Sequence, residues 1–233
     1  MKYREGIVVG LDPVELFKRE LEPAETKIWM PLLRELCWEE VEWAANRTLP
    51  RKVCKPQRGE NAAIDHLILL IEEIFETTAI GIWCNWYRSG KDWTPEHQDQ
   101  YEAHVFTYSF GASRNFYFKS LETGLLTEYL LEDGDLMYFS PEHDANHKHC
   151  VPRSAEDGDR ISIVIFTDEP YSRRSMEKID QEQQSLMVTS FVSQLERLNP
   201  YMWQSFHNGE TITLDTPEGK TQFRMRDGQL EIW

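Results

Sequence analysis

Cysteine and long apolar runs are both scarce in this chain. Its four cysteines, Cys37, Cys54, Cys84 and Cys150, are widely spaced with no Cys-x-x-Cys pair, which excludes a zinc ribbon and a dense disulfide framework. No apolar run reaches the length of a membrane span, and the first ten residues hold too short a run for a signal peptide. We therefore expect an intracellular protein, cytoplasmic or nuclear and not secreted, that is a monomer without membrane association.

Positive charge is also in short supply. The 233 residues include 25 basic and 40 acidic side chains, for a net charge of −15, which argues against a general, salt-driven nucleic-acid binder. One segment departs from this balance. Residues 43–59, called the basic strip below, contain no acidic residue. Its cations are either those of a solvated loop or contacts for an anionic substrate; they are Arg47, Arg51, Lys52, Lys55 and Arg58.

Helical patterns dominate the N-terminal third. Residues 12–22, 24–37 and 62–77 carry apolar side chains at helical spacing, and the last of these predicts the clearest helix, with one apolar face suited to packing on a sheet. Alternation over residues 38–43 predicts a strand. The basic strip, which contains Pro50 and Pro56, is predicted to be a loop.

Short runs rich in β-branched and aromatic residues follow, separated by turn signals without intervening helices. This pattern predicts an antiparallel sandwich or jelly roll. The fold class is therefore α+β, a double-stranded β-helix with N-terminal supporting helices, a C-terminal helix over residues 172–198 and a β-meander over 211–233. We predict an N-terminal segment with a substrate lid (1–79), a catalytic core (80–168) and a C-terminal extension (169–233). The predicted core strands are 80–87, 105–110, 115–119, 125–131, 136–139 and 161–166.

A candidate metal site begins with His97 and Asp99. Two residues apart on a strand, their side chains would leave the same face. Two imidazoles and one carboxylate leave three coordination positions open, as in non-haem Fe(II) oxygenases. The third ligand has candidates in His143, His147 and His149, although a lone His-x-Asp is often a polar turn and a histidine cluster is often a surface loop.

Arg160 opens the apolar run 161–166. A charged residue at the mouth of a buried strand needs an anionic partner. The distal carboxylate of 2-oxoglutarate would form a bidentate pair with it, and an internal Asp or Glu is the alternative partner.

Six ordered blocks of the sequence together resemble the AlkB family of Fe(II)/2-oxoglutarate dioxygenases. The likeness is firm over residues 80–167 and weaker over 32–75, where Trp43 and Pro50-Arg51 are similar to the family's substrate lid. The blocks are Asn85-Trp-Tyr87, His97-Gln-Asp99, Tyr108-Ser-Phe-Gly-Ala-Ser-Arg-Asn-Phe-Tyr-Phe118, Glu132-Asp-Gly-Asp-Leu136, His149-Cys-Val-Pro152 and Arg160-Ile-Ser-Ile-Val-Ile-Phe166.

This resemblance implies Fe(II), 2-oxoglutarate and O2 as the reactants at the site. His97, Asp99 and His149 would be the iron ligands, with His149 preferred to His147 because the family's histidine precedes a short apolar-Pro sequence. The implied reaction couples oxidative decarboxylation of 2-oxoglutarate to hydroxylation of an N-methyl group, which demethylates a nucleobase of DNA or RNA. The implied 2-oxoglutarate contacts are Asn85, Tyr87 and Arg160, and the substrate contacts are Arg47, Arg51, Lys52 and Tyr101.

Two positions depart from the family pattern. Phe166 stands where the family has a second arginine, six residues after Arg160. Tyr101 stands where many of its nucleic-acid demethylases carry an acidic residue, two positions after the metal aspartate. With the overall acidity, these departures support a second hypothesis, a hydroxylase of a small molecule or protein side chain that uses the same iron site.

Overall fold

The computed structural model describes residues 2–4, 7–9, 13–21, 23–44, 47–99, 102–170, 211–216, 219–226 and 229–232. Three helices occur in these parts of the chain: α1 (Pro23–Arg34), α2 (Ala62–Phe75) and α3 (Pro141–Asn146). The strands are β1 (Lys2–Arg4), β2 (Ile7–Val9), β3 (Val14–Phe17), β4 (Glu39–Ala44), β5 (Arg47–Cys54), β6 (Ala79–Tyr87), β7 (Thr94–His97), β8 (His104–Gly111), β9 (Arg114–Ser120), β10 (Leu126–Leu131), β11 (Leu136–Phe139), β12 (His147–Val151), β13 (Arg160–Thr167), β14 (Ile212–Thr216), β15 (Gly219–Arg226) and β16 (Gln229–Ile232).

Two antiparallel sheets form the body of the fold. The major sheet has seven strands in the order β3-β11-β8-β13-β6-β5-β4, and the minor sheet has four in the order β10-β9-β12-β7. Side chains from both sheets meet in a shared apolar cluster that includes Tyr87, Phe116, Phe118 and Phe139. The predicted jelly-roll arrangement of antiparallel strands is therefore confirmed.

The alternation of β13 explains why the major sheet is buried on both faces. Ile161, Ile163 and Ile165 point to the cluster formed with α1 and α2, whereas Val164 and Phe166 point between the sheets. Because successive side chains of a strand leave opposite faces, one strand contributes to two cores.

Helix α2 covers the outer face of the major sheet, as its apolar pattern predicts. Asn61 caps it, since its side-chain oxygen accepts hydrogen bonds from the backbone N–H groups of Ala63 and Ile64. The Asn61 amide nitrogen donates to the Leu32 carbonyl at 3.0 Å, which ties α2 to the end of α1. The Phe75 ring lies 4.5 Å from that of Phe106 on β8.

The helix predicted over residues 12–22 is wrong. Residues Val14 to Phe17 form β3, an edge strand of the major sheet that pairs with β11. Val14 and Leu16 pack between the sheets and Phe17 packs on the helical side. The strand forms because β11, over a hundred residues later, supplies its backbone hydrogen bonds, which outweigh a local helical pattern.

The loop predicted for the basic strip is also wrong, because residues 47–54 form β5 between β4 and β6. The pairing with β4 shifts between Glu40↔Lys52 and Glu42↔Thr48, so β5 carries two extra residues around Pro50. The pairs with β6 run from Lys52 to Cys54, beyond that proline. A bulge accommodates the missing N–H of a proline within a strand.

Strands from the predicted N-terminal segment thus extend the sheet of the predicted core, while the division into three segments stays a prediction. The strands β14, β15 and β16 form an antiparallel sheet where the meander was predicted. The helix predicted over residues 172–198 lies outside the described residues. Among the helices of the described part, none is long and apolar enough to span a membrane.

His66 on α2 makes the folded protein sensitive to acid. Its side chain is buried, neither ring nitrogen has a hydrogen-bond partner, and the ring lies 5.1 Å from that of Trp29. Burial lowers the pKa of His66 to about 4. Because the unfolded chain binds this proton near pH 6.5, the stabilisation is complete above that pH and is lost as the pH falls toward 4.

We expect this histidine to remove about 2 kcal/mol of unfolding free energy between pH 7 and pH 5. The measurement is urea denaturation of the wild type and of His66→Leu at both pH values. The other titratable groups are present in both proteins, so the difference between their pH dependences isolates His66 together with Glu25, whose Oε1 lies 3.9 Å from His66 Nε2. Parallel pH dependences of the two proteins would contradict the prediction.

Candidate metal and cosubstrate site

A cavity of about 420 Å³ opens between the two sheets. Its floor is formed by side chains that are neighbours across adjacent strands of the major sheet. Arg160 on β13 is opposite Tyr87 on β6, and Ser162 is opposite both Asn85 on β6 and Ser109 on β8. Its opposite wall comes from the minor sheet and the segment after β7. The structure therefore gathers in one cavity residues that are up to 115 positions apart, from Arg51 to Phe166.

Three potential metal ligands converge at this wall. His97 ends β7, His149 lies opposite it on β12, and Asp99 follows β7. The ligand atoms of the three lie within 4.8 Å of one another. The Asp99 carboxylate oxygens are 3.7 Å from His97 Nε2 and 3.8 Å from His149 Nε2. The condition that His97 and Asp99 lie on one strand is not met, because β7 ends at His97. Asp99 reaches the group from the irregular segment that follows the strand.

The Nδ1 atom of each histidine contacts a protein oxygen, and this contact orients the Nε2 atom toward the other two metal ligands. His149 Nδ1 lies 3.1 Å from Asp144 Oδ1, and His97 Nδ1 lies 2.9 Å from the Pro95 carbonyl oxygen. As donors to these oxygens the Nδ1 atoms carry the protons, so both Nε2 lone pairs are left for a metal. The ring of Phe116 stacks on that of His149, with the ring centroids 5.5 Å apart, and shields this side of the site from water.

Burial sets the charge states of two of these groups. It lowers the pKa of His97 to about 4, and the adjacent His149 acts in the same direction. His97 is therefore neutral at physiological pH, the form in which imidazole binds metals. Burial also raises the pKa of the Asp99 carboxyl; the neighbouring His149 and Arg51 oppose that rise, and Asp144 adds to it.

Arg160 is a buried cation whose hydrogen bonds are incomplete. Its side chain is 1% exposed, and Nε donates to Ser109 Oγ at 2.9 Å. Among the described residues, Nη1 and Nη2 have no hydrogen-bond partner. The Tyr87 ring lies 5.4 Å from the guanidinium carbon. Burial lowers the pKa of Arg160 to about 10, so it stays charged at neutral pH. A buried guanidinium with two unpaired nitrogens is costly unless an anion binds it, and a carboxylate matches both nitrogens.

Asn85 has a fixed amide orientation. Its Oδ1 accepts hydrogen bonds from Arg51 Nε at 2.8 Å and from Trp83 Nε1 at 3.0 Å. Because these two groups are donors only, the oxygen must face them, and Nδ2 then points toward Ser162, 3.4 Å away. Asn85 therefore presents a donor to the cavity.

Of the four predicted substrate contacts, the structure places only Arg51 among the described residues that line the cavity. Arg51 is buried in the cavity wall rather than exposed in a loop. The backbone of Arg47 begins β5, and Lys52 follows Arg51 on the opposite face of the strand, outside the cavity. Tyr101 lies outside the described residues. His147 stacks on His143 with ring centroids 3.9 Å apart and does not line the cavity.

Phe166 lines the cavity and is 6% exposed. Six residues along a strand correspond to about 20 Å, so Phe166 lies at the far end of the β13 face from Arg160. With Val164 and Val105 it makes this end of the cavity apolar.

Sequence reasoning missed four contributors: Asp144 beside His149, Ser109 beside Arg160, Thr94, whose hydroxyl lies 2.7 Å from that of Tyr87, and the Pro95 carbonyl. Asp144 lies within the histidine-rich segment, and Ser109 lies within one of the six sequence blocks that resemble the AlkB family. Their roles could not be predicted from the local sequence, because each role depends on a partner residue on another element.

Comparison with known proteins supports the fold. An oxidoreductase of the 2OG-Fe(II) oxygenase family from Burkholderia pseudomallei is similar over 70% of this chain and 88% of its own, at 14% identity and a TM-score of 0.54. OsALKBH1 matches over 67% and 99% at 13% identity and a TM-score of 0.48. A Pseudomonas putida prolyl-4-hydroxylase matches over 70% and 94% at 14% identity and a TM-score of 0.47.

The first of these likenesses shows that the chain has the fold of the 2OG-Fe(II) oxygenases, as the sequence resemblance implied. No protein-family model matches the sequence, and no curated protein matches it significantly.

Proposed function

We propose that this chain is an Fe(II)- and 2-oxoglutarate-dependent dioxygenase. His97, Asp99 and His149 bind Fe(II), while Arg160, Asn85 and Tyr87 bind 2-oxoglutarate. The observation that carries the proposal is that two incomplete sites share one cavity: three converging ligand atoms with no fourth ligand among the described residues, and a buried guanidinium with two nitrogens that have no hydrogen-bond partner there. A dicarboxylate that binds both the metal and Arg160 completes the two sites together.

When bound, Fe(II) and 2-oxoglutarate supply the oxidative chemistry that converts O2, the keto acid and a C–H bond into succinate, CO2 and a hydroxylated product. The protein supplies geometry. Arg160 fixes the distal carboxylate, and Ser109 fixes the orientation of Arg160. Asn85 contributes its Nδ2 donor, and Asp144 holds His149 in the Nδ1-protonated form. Phe116 and Phe139 keep water from the metal ligands.

The first candidate substrate is an N-methylated nucleobase in DNA or RNA. Hydroxylation of its methyl group gives a hemiaminal that releases formaldehyde. Three things support it: the six sequence blocks that resemble the AlkB family, the oxygenase fold, and basic residues on β5 and just after it, next to Arg51. Of these, Lys52 is half-buried and Lys55 is exposed, so both can reach a phosphate backbone.

The second candidate is hydroxylation of a small molecule or protein side chain. Specific contacts favour it, because several cations of the basic strip are already engaged. Arg51 is buried against Asn85, Arg58 pairs with Glu72 at 2.7 Å, and Lys55 lies 4.3 Å above the Trp83 ring. Together with the net charge of −15, these contacts reduce the positive surface open to a polyanion.

The deciding experiment measures succinate and formaldehyde with purified protein, Fe(II), 2-oxoglutarate and ascorbate. Substrates are methylated oligonucleotides, methylated nucleosides and peptides. Formaldehyde stoichiometric with succinate identifies the dealkylase, and succinate with a hydroxylated product but no formaldehyde identifies the hydroxylase. If no succinate forms even by substrate-independent turnover, and Fe(II) does not bind, the dioxygenase proposal fails.

Should the substrate be a nucleic acid, the double variant Lys52→Gln/Lys55→Gln will weaken the salt dependence of its binding. Each phosphate contact on a single strand contributes about −0.7 to the slope of log affinity against log salt, so losing two contacts flattens it by about 1.4. The measurement is fluorescence anisotropy of a labelled oligonucleotide over a series of NaCl concentrations.

The matched control removes two lysines that lie away from β5, Lys91→Gln/Lys119→Gln, and should leave the slope unchanged. If both double variants change the slope equally, the contact is nonspecific. If neither the wild type nor the two double variants bind oligonucleotides at low salt, the nucleic-acid substrate is refuted and the hydroxylase hypothesis replaces it.

A further inference from the structure

We propose, resting on the dioxygenase function above, that Arg51 selects the charge of the substrate: the group oxidised in this cavity is neutral or anionic, presents a hydrogen-bond acceptor to Arg51, and is not a cation. The proposal concerns this chain's substrate class and holds for either candidate substrate, a nucleobase or a side chain.

Arg51 is built into the cavity rather than lying at its rim. Its side chain is 7% exposed, and the bulge of β5 precedes it. Nε donates to Asn85 Oδ1 at 2.8 Å, which anchors the guanidinium. Nη1 is buried and has no hydrogen-bond partner in the described part of the chain. An unsatisfied buried donor of a charged group costs free energy that an acceptor on the substrate would recover.

The charge balance of the cavity leads to the same conclusion. Among the described residues that line it, Asp99 is the only carboxylate, and Arg51 and Arg160 are the only permanent cations. In the proposed complex, Arg160 is paired with the distal carboxylate of the cosubstrate, and the divalent metal is paired with Asp99 and the second carboxylate of the cosubstrate. Asp144 lies behind His149, outside the lining. Arg51 is then the cation for which no carboxylate of the described lining remains. In a cavity of low dielectric, a second cation near this charge is repelled.

Repulsion of cations by Arg51 would discriminate between substrates that differ little in shape but differ in charge. 1-Methyladenine and 3-methylcytosine carry a positive charge on the ring, and methylated lysine and arginine side chains are also cations. 3-Methylthymine and 1-methylguanine are neutral and hold a carbonyl oxygen beside the methylated nitrogen, where a guanidinium can donate to it. We expect the cavity to accept the neutral class and to reject the cationic class.

The test uses three probes of one shape and different charge: benzoate, benzamide and benzamidinium. Protein loaded with Mn(II) and saturating 2-oxoglutarate, which occupies Arg160, is titrated with each probe, and paramagnetic relaxation of the probe protons reports entry near the metal. A second measurement, saturation transfer to the same probes in the metal-free protein, does not depend on metal binding. The proteins compared are wild type, Arg51→Gln, Arg51→Lys and the control Lys91→Gln, which removes an exposed positive charge outside the cavity.

Wild type should bind benzoate and benzamide at least about tenfold more tightly than benzamidinium. Arg51→Gln should lose most of this difference, Arg51→Lys should retain it, and Lys91→Gln should match wild type. Equal or tighter binding of benzamidinium by wild type, or a preference unaffected by Arg51→Gln, overturns the inference.

The two failures are distinguishable. Absence of Mn(II) relaxation for every probe, with no succinate formation, refutes the dioxygenase function, and the metal-free saturation transfer then decides the charge preference alone. With an active enzyme, formaldehyde release from 3-methylthymine and 1-methyladenine in matched oligonucleotides gives the same comparison, and faster turnover of the cationic base counts against Arg51.

Discussion

Replacing His149 by alanine should abolish metal binding and succinate formation. His149 supplies one of three ligand atoms that lie within 4.8 Å of one another, and two remaining protein ligands leave Fe(II) weakly held. The effect should also be visible without catalysis: wild type should melt at a higher temperature when Mn(II) and 2-oxoglutarate are added, because both bind the folded state only. His149→Ala should lose this increase.

The matched control is His147→Ala, two positions earlier on the same strand. His147 stacks on His143, its Nδ1 lies 2.9 Å from the His143 carbonyl oxygen, and it does not line the cavity. This variant should keep the metal-dependent increase in melting temperature. If His147→Ala loses metal while His149→Ala retains it, the choice between the two histidines is wrong.

Arg160→Met should raise the concentration of 2-oxoglutarate needed for half-maximal succinate formation by about tenfold to a hundredfold. A charge-assisted pair of hydrogen bonds contributes about 1.5 to 3 kcal/mol, and methionine fills a similar volume without the charge. Ser109→Ala removes only the hydrogen bond that orients Arg160, so its effect should be smaller and in the same direction.

Arg160→Met should not destabilise the ligand-free protein, although it weakens the binding of 2-oxoglutarate. In wild type, two buried guanidinium nitrogens have no partner, and a buried charge without compensation is destabilising. Arg160→Met should therefore melt at the wild-type temperature or above it without ligand, yet gain nothing from 2-oxoglutarate. An unchanged cosubstrate requirement in the folded variant would remove Arg160 from the site.

The architecture explains why these two residues act on one ligand from opposite sides. The minor sheet carries His97 and His149, and the major sheet carries Arg160, Asn85 and Tyr87. In the proposed complex, a keto acid held by Arg160 would lie between the two sheets, with the metal ligands on its other side. Its binding would then depend on the spacing of two sheets that share an apolar cluster, rather than on the order of one loop.

The sequence alone determined the features that depend on local periodicity and residue chemistry. The apolar, β-branched run over 161–166 identified a buried strand, and the apolar face of residues 62–77 identified α2. The types and order of His97, Asp99, His149 and Arg160 indicated a metal site and an anion site, because imidazole, carboxylate and guanidinium have few other roles when they adjoin buried strands.

The tertiary structure decided the features that depend on distant partners. β3 forms because β11 pairs with it across more than a hundred residues, and β5 forms because a bulge accommodates Pro50 between two neighbours. The same bulge precedes Arg51 in the cavity wall, where a basic loop was expected. Asp144 and Ser109 gained their roles from His149 and Arg160. Local patterns do not encode these outcomes, because hydrogen bonds between strands and the burial of a charge are set by groups that only folding brings together.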